Sequence, residues 1–261
     1  MNTLVAQAVS LTLGGCAILT DVGVAFRPGE VTAIVGPNGA GKSSLLTCLA
    51  GLRRPTVGAV RLAGADLVAL APRERARRLG YLPQTAEIAW AVDVETLVGL
   101  GRIPHDGGRG LGAEDRDAVA RALAATEMTA MARRDVTTLS GGERARALIA
   151  RLLAGEPTWL LAYEPLAGLD PGHQLDALAL LREFATADRG VILTLHDLGL
   201  AARIADRVIV LAAGAVIADG GAREALSPDV LARAYGVEAR WTEGKEGPMI
   251  ELVGRLEQGA A

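Results

Sequence analysis

The chain has 261 residues, half of them hydrophobic and 3% aromatic, a formal net charge of −3 and a pI near 5.7. That length buries a sizeable core and suits one large domain or two closely joined ones, and the acidic balance excludes the global basic field of a nucleic-acid binder. No apolar run reaches the length that spans a bilayer, and the opening MNTLVAQAVSLTLGG lacks the basic region and leading apolar run of a signal peptide, so a place on the cytosolic side is expected.

In chain order, Val9, Leu11 and Leu13 alternate with Ser10 and Thr12 as in a half-buried strand, and Gly14-Gly15 turns the chain. Residues 22–26 repeat the pattern before the turn Arg27-Pro28-Gly29-Glu30. Residues 31–35 are continuously apolar, as expected of a strand buried on both faces of a parallel sheet. A glycine-rich turn follows, then helical spacing over 43–50. From about 85 to 157 the strand signal disappears: helical patterns over 115–128 and 141–153 flank the glycine-rich break HDGGRGLG. Strand and helix signals then alternate, with strands at 159–162, 191–195 and 207–211 and helices at about 174–187 and 198–205. This is the pattern of a doubly wound α/β sheet carrying an inserted helical subdomain. Cys16 and Cys48 have no metal or redox spacing and read as small buried hydrophobes in a reducing compartment. A mean hydropathy of +0.28 is high for a soluble chain and points to a partner.

Gly36-Pro37-Asn38-Gly39-Ala40-Gly41-Lys42-Ser43 matches G-x-x-x-x-G-K-[ST] between a buried strand and a helix start, the context that gives the motif its meaning. Glycines let successive N–H groups curl around an anion, and the helix start adds partial positive charge. Lys42 is placed for β- and γ-phosphates, and the Ser43 hydroxyl for Mg²⁺. Lysine occurs only here and at Lys245, every other basic residue being arginine. Leu139-Ser-Gly-Gly-Glu143 reads as a capping box opening an apolar helix, and equally as a second helix start exposing amides and the Ser140 hydroxyl to an anion. At 159–170, WLLAYEPLAGLD, an apolar strand runs into Glu164 and delivers a carboxylate to its end.

The order of these motifs, with Gln84 in YLPQ, Ala167-Gly-Leu-Asp170 and His196 after the strand at 191–195, resembles the nucleotide-binding subunit of ABC transporters over nearly the whole chain. The resemblance implies a P-loop NTPase core of mainly parallel sheet with N-terminal antiparallel strands (1–84 and 158–225), an inserted helical subdomain (85–157) and a C-terminal extension (226–261). It implies ATP and Mg²⁺ as cofactors, with Gly36 to Ser44 on the phosphates, Ser43 and Gln84 toward the metal, Glu164 as the base that activates water, and His196 as the switch histidine. Two subunits would pair head to tail, Ser140, Gly141 and Gly142 capping the γ-phosphate bound by the partner while Asp170 orders the interface.

Two departures stand out. The residue before the glutamate, an Mg²⁺-associated Asp in the family, is Tyr163, which is uncharged at neutral pH. No aromatic residue precedes Phe26 to stack on adenine, so base recognition is expected to use apolar contacts near Leu13 to Gly15. LVGLGRIPH at 97–105 and LSPDVLARAYGV at 226–237 are similar to the importers of iron-siderophore, haem and cobalamin. The expected partners are a second copy, two transmembrane permease subunits and, through them, a substrate-binding protein, with the chain peripheral on the cytoplasmic face of the cell membrane. An ATP-driven dimerisation switch with weak hydrolysis is the alternative that Tyr163 leaves open. A small-molecule P-loop kinase would leave LSGGE and the helical insertion unexplained.

Overall fold

The computed structural model of the protein describes residues 2–84, 91–106, 110–244 and 247–256. β1 (Leu4–Leu13) and β2 (Cys16–Phe26) pair antiparallel around Gly14-Gly15. β3 (Val31–Val35) then dives into the interior, every residue buried, and leads to α1 (Lys42–Leu49). β4 (Val57–Leu62) and β5 (Ala65–Asp66) complete an antiparallel sheet in the order β2-β1-β4-β5. α2 (Pro72–Arg78) feeds β6 (Leu79–Leu82). There follow the helices α3 (Val94–Gly99), α4 (Ala113–Ala125) and α5 (Gly141–Ala154).

The chain then resumes the α/β alternation with β7 (Trp159–Tyr163), α6 (Pro171–Phe184), β8 (Gly190–Thr194), α7 (Leu198–Ile204), β9 (Arg207–Ala212) and β10 (Ala215–Gly220). It ends in α8 (Ala222–Ala225), α9 (Pro228–Tyr235) and a hairpin of β11 (Val237–Gly244) and β12 (Gly247–Arg255).

The second sheet runs β10-β9-β3-β8-β7-β6, parallel throughout except for the antiparallel edge β10. Its strands alternate strictly between two cores, because successive side chains point to opposite faces. Val31, Ala33 and Val35 of β3, with Leu160, Val191 and Val208, pack under α6, α7 and α9. Ile34, Trp159, Leu161, Ile192 and Ile209 face α1 and the antiparallel sheet. A third core, built from Val94, Leu97, Val119, Leu123, Met128 and Ile149's neighbours Ala147 and Ala150, lies within the helices between 94 and 154.

Element types follow the sequence pattern and boundaries shift where side chains set them. The helix expected from about 174 begins at Pro171, because Asp170 accepts from the His173 amide and proline tolerates the first turn. It stops at Phe184 rather than 187. β4, β5, β6 and β10 are short or carry too many small residues to show a strand period, whereas β11 does alternate Val237, Ala239 and Trp241 with Glu238, Arg240 and Thr242, a strand signal that escaped the sequence reading. Cys48 is buried, its thiol pushed up to about 11 by that burial, but Cys16 is exposed because it opens β2 beside the hairpin turn. Lys245 lies outside the described residues. Among the described residues no helix is long and apolar enough to cross a membrane.

Trp159 fixes the spacing of β7 and β8. Its indole is fully buried, donates to Asn2 O at 2.8 Å and lies over Gly190, where a Cβ would come within 2.3 Å of the ring. Gly190→Ala therefore overpacks the core and should cost about 1–3 kcal/mol. Gly221→Ala, whose Cβ enters open space, should be near neutral, and urea unfolding of the two variants measures the difference.

Candidate functional site

The loop after β3 accepts only glycine at its two ends. Gly36 (φ 153°) would drive a Cβ to 2.2 Å from Leu211 O of β9, and Gly41 (φ 97°) would drive one to 2.7 Å from Leu19 Cδ2 of β2. Between them Pro37, Asn38, Gly39 and Ala40 bring the backbone round, with the Ala40 amide donating to Pro37 O at 3.2 Å. α1 starts at Lys42 with no side-chain cap and no acidic residue in its first turn. Its leading amides and the positive end of its dipole are left for an anion, and Ser43 stands exposed there while Ser44 is half-buried. Lys42 is 4% exposed and donates to Gly36 O at 2.6 Å and Pro37 O at 3.0 Å. Burial lowers its pKa, and the negative charge of Glu164 opposes that.

Glu164 leaves β7 with φ 48°, in the left-handed region that L-residues avoid. Ala63 and Ala213 share that conformation, but they turn hairpins between β4 and β5 and between β9 and β10. At Glu164 the strained turn, a conformation costing about 1–3 kcal/mol, aims a carboxylate instead. Its amide donates to Thr194 Oγ1 at 3.0 Å. Gln84, just past β6, donates from Nε2 to Glu164 Oε2 at 3.1 Å. His196, just past β8, places Nε2 at 2.5 Å from Glu164 Oε1, close but without the direction of a hydrogen bond. The Glu164 side chain is 9% exposed and His196 51%, so the imidazole covers the carboxylate from solvent.

Tyr163 stands opposite Thr194 in the β7–β8 register and half-buried against the α1 side of the sheet. Burial raises the pKa of its phenol, the Glu164 carboxylate adds to the rise, and the Ser43 hydroxyl opposes it. Tyr81 of β6 lies close by, its own phenol raised by burial. Among the described residues no group of three or more His, Cys, Asp and Glu side chains could hold a metal. The oxygen donors present, the Ser43 hydroxyl, the Gln84 amide and the Glu164 carboxylate, suit Mg²⁺, which keeps several waters and takes phosphate oxygens.

Ser140, Gly141, Gly142 and Asp170 form a second cluster. Ser140 caps α5 in a closed capping box, its amide donating to Glu143 Oε2 at 2.7 Å and its Oγ accepting from the Glu143 amide at 3.3 Å. Backbone hydrogen bonding from Ser140 holds the Glu143 carboxyl below its ordinary range. Gly141 faces Gly168 O, and Gly142 faces Leu169 and His173. Asp170 engages His173 twice, at the amide (3.1 Å) and at Nδ1 (2.6 Å), and the amide bond lowers its pKa. Ser140, Gly141 and Asp170 are exposed. Among the described residues no hydrogen bond or ion pair joins this cluster to residues 36–44. At the β1–β2 turn Leu13 is half-buried and Gly14 and Gly15 are exposed.

Thr194 and His173 escaped the sequence reading. A lone hydroxyl in the apolar run VILTL was the available signal for Thr194, and for His173 a ring-bearing residue three positions after a capping Asp.

A glycine cradle after β3, a buried lysine and a carboxylate at the end of β7, one strand removed, define a P-loop nucleotide-binding protein on a mainly parallel α/β sheet. The profile of the ABC transporter family matches residues 19–167. The hemin import ATP-binding protein HmuV of Pseudomonas entomophila is 44% identical over 237 residues, covering 89% of this chain and 92% of that protein. The cobalamin import ATP-binding protein BtuD of Halobacterium salinarum is 43% identical over 234 residues, but the chain spans only 58% of it. Among solved structures, an inward-facing conformation of a proposed metal-chelate type ABC transporter superposes with a TM-score of 0.84 at 25% identity, covering 98% of this chain and 99% of that one. A dimeric ATP-binding cassette in a post-hydrolysis state with ADP and Pi superposes at 0.76 with 27% identity, covering 84% and 99%. The chain belongs to the ABC transporter family, as an ATP-binding transport ATPase.

Lys42 is the cation built into the cradle, so Lys42→Ala should abolish tight ATP binding. Lys42→Arg should not restore it, because the planar fork is too large for a slot walled by Gly36 and Pro37 carbonyls. Nucleotide titration of the purified variants checks both outcomes.

Proposed function

We propose that the protein is the ATP-hydrolysing motor of a binding-protein-dependent importer for an iron-siderophore, haem or cobalamin cargo. The observation that carries this is the Glu164 carboxylate, held at the end of β7 by Gln84 and His196 beside the Lys42 cradle. Residues Gly36 to Ser44 bind the phosphates of ATP, with Lys42 countering their charge. Ser43 and Gln84 would hold Mg²⁺, which would supply positive charge against the negative charge that develops in phosphoryl transfer. Glu164 accepts the proton of the attacking water, while Gln84 at Oε2 and His196 beside Oε1 fix the orientation of its carboxylate.

The exposed Ser140–Gly142 helix start needs a nucleotide from another copy, and this supports a head-to-tail homodimer in which Asp170 stiffens the neighbouring turn. As the motor of such an importer, the chain would work with two transmembrane permease partners and a substrate-binding protein beyond them, on the cytoplasmic face of the cell membrane. The self-contained core between 94 and 154 supports treating 85–157 as an inserted helical subdomain. We read 226–261 as a C-terminal extension, whose α9 packs onto the main core through Val230 and Leu231.

Glu164→Gln keeps the volume and loses the basicity. It should bind ATP normally, hydrolyse it at least a hundredfold more slowly and elute with ATP and Mg²⁺ as a dimer that the wild type forms only transiently. Turnover at the native rate would remove Glu164 as the base, whereas a wild type as inert as the variant would favour an ATP-driven switch.

Tyr163 replaces a charge with a phenol, which can bond a metal-bound water only without charge assistance. Tyr163→Asp should therefore lower the Mg²⁺ concentration for half-maximal ATPase by roughly 10-fold, at the lower end of what metal-supporting partners contribute, and raise the maximal rate. Mg²⁺ titrations alongside melting temperatures check this. An Asp variant that melts earlier and is no more active would make Tyr163 a packing residue.

A further inference from the structure

The turn that aims Glu164 is held by a residue with no place in the motif order. Thr194 closes β8, is completely buried, and sits directly opposite Tyr163 across the β7–β8 ladder. Its side chain projects to the α1 side of the sheet, the side of Ile192 and Ile34, so it packs beneath the floor of the nucleotide cradle. There Oγ1 accepts the Glu164 amide at 3.0 Å.

That amide leaves the ladder as the chain departs from β7 with positive φ, and an unpaired buried N–H is costly. The threonine hydroxyl supplies the acceptor that regular strand pairing no longer does. β-Branching leaves Thr few χ1 choices, so the acceptor is fixed by the sheet itself. The other groups on Glu164, namely Gln84, His196 and the Tyr163 phenol, touch its carboxylate, whereas Thr194 fixes the backbone from which the carboxylate is aimed.

We propose that Thr194 is a positioning residue for ATP hydrolysis, acting through the Glu164 amide to hold the general base at the angle from which it meets the attacking water. This rests on the reading of Glu164 as the base. It does not involve nucleotide affinity, which the P-loop supplies. Catalytic geometry is sensitive to small displacements, a shift of about 1 Å being worth up to about 100-fold in rate. Valine matches the shape of threonine but cannot accept a hydrogen bond, whereas serine keeps the acceptor and loses the methyl group.

The test is steady-state ATPase kinetics and thermal melting of the full-length chain carrying Thr194→Val, Thr194→Ser and Glu164→Gln, singly and as Thr194→Val with Glu164→Gln. Thr194→Val should lower kcat by roughly 10- to 100-fold and leave KM for MgATP unchanged. Thr194→Ser should keep most of kcat even though the lost methyl lowers its melting temperature. In the Glu164→Gln background, Thr194→Val should change the residual turnover no further, as expected of two residues acting through one group. If Glu164→Gln is inactive while Thr194→Val turns over at the native rate, or if the serine variant is as slow as the valine one, the inference is overturned and the general-base reading stands. If Glu164→Gln itself turns over at the native rate, the base reading falls and this inference falls with it.

Discussion

Parallel pairing of β6, β7, β8 and β3 brings the carboxyl ends of four strands to one edge of the sheet, and every group on the Glu164 carboxylate or in the cradle hangs from that edge. Parallel strands must each return through a crossover, so their ends are filled by separate loops that share one crevice. β3 gives the cradle, β6 gives Gln84, β7 gives Tyr163 and Glu164, and β8 gives Thr194 and His196. A register slip of one residue between β7 and β8 would turn Thr194 to the opposite face and leave the Glu164 amide unpaired. Trp159, seated over Gly190 at the far end of the same two strands, opposes such a slip.

Electrostatics at this edge are arranged around two partly desolvated charges of opposite sign. Lys42 is buried among carbonyls and Glu164 is nearly buried under His196, so each raises the value of the other as a partner. Where the family places a carboxylate for the metal, this chain places the Tyr163 phenol, which lies beside Ser43 and Glu164 and adds no charge. The strand ends beside Glu164 thus carry uncharged hydroxyl groups, Tyr163 on β7 and Thr194 opposite it on β8.

The Ser140 and Asp170 clusters show why motif residues carry two roles at once. Each side chain is spent within its own chain on capping a helix, Ser140 on α5 and Asp170 on α6. What faces outward is the glycine backbone at 141 and 168 and the exposed Ser140 hydroxyl. A rigid cap presenting bare amides is a surface suited to grip an anion brought by another molecule.

The P-loop, the capping box and the strand leading to Glu164 were legible because each is local: glycine spacing, an i to i+3 cap and a short apolar run are complete within a few residues. The α/β class followed from the same short-range periodicity. Hidden were the strands too short or too rich in small residues to show a period, such as β6 with Leu79, Gly80, Tyr81 and Leu82, and the exposure of Cys16, which a hairpin turn decides. The approach of Gln84 to Glu164 joins residues 80 apart in sequence, and the hydrogen bond from Glu164 to Thr194 joins residues 30 apart. Sequence by itself determined which chemical groups the protein carries and on which elements they ride. Only the tertiary structure decided which of them meet, because strand order and register are set by the packing of two whole faces of the sheet and by no single segment.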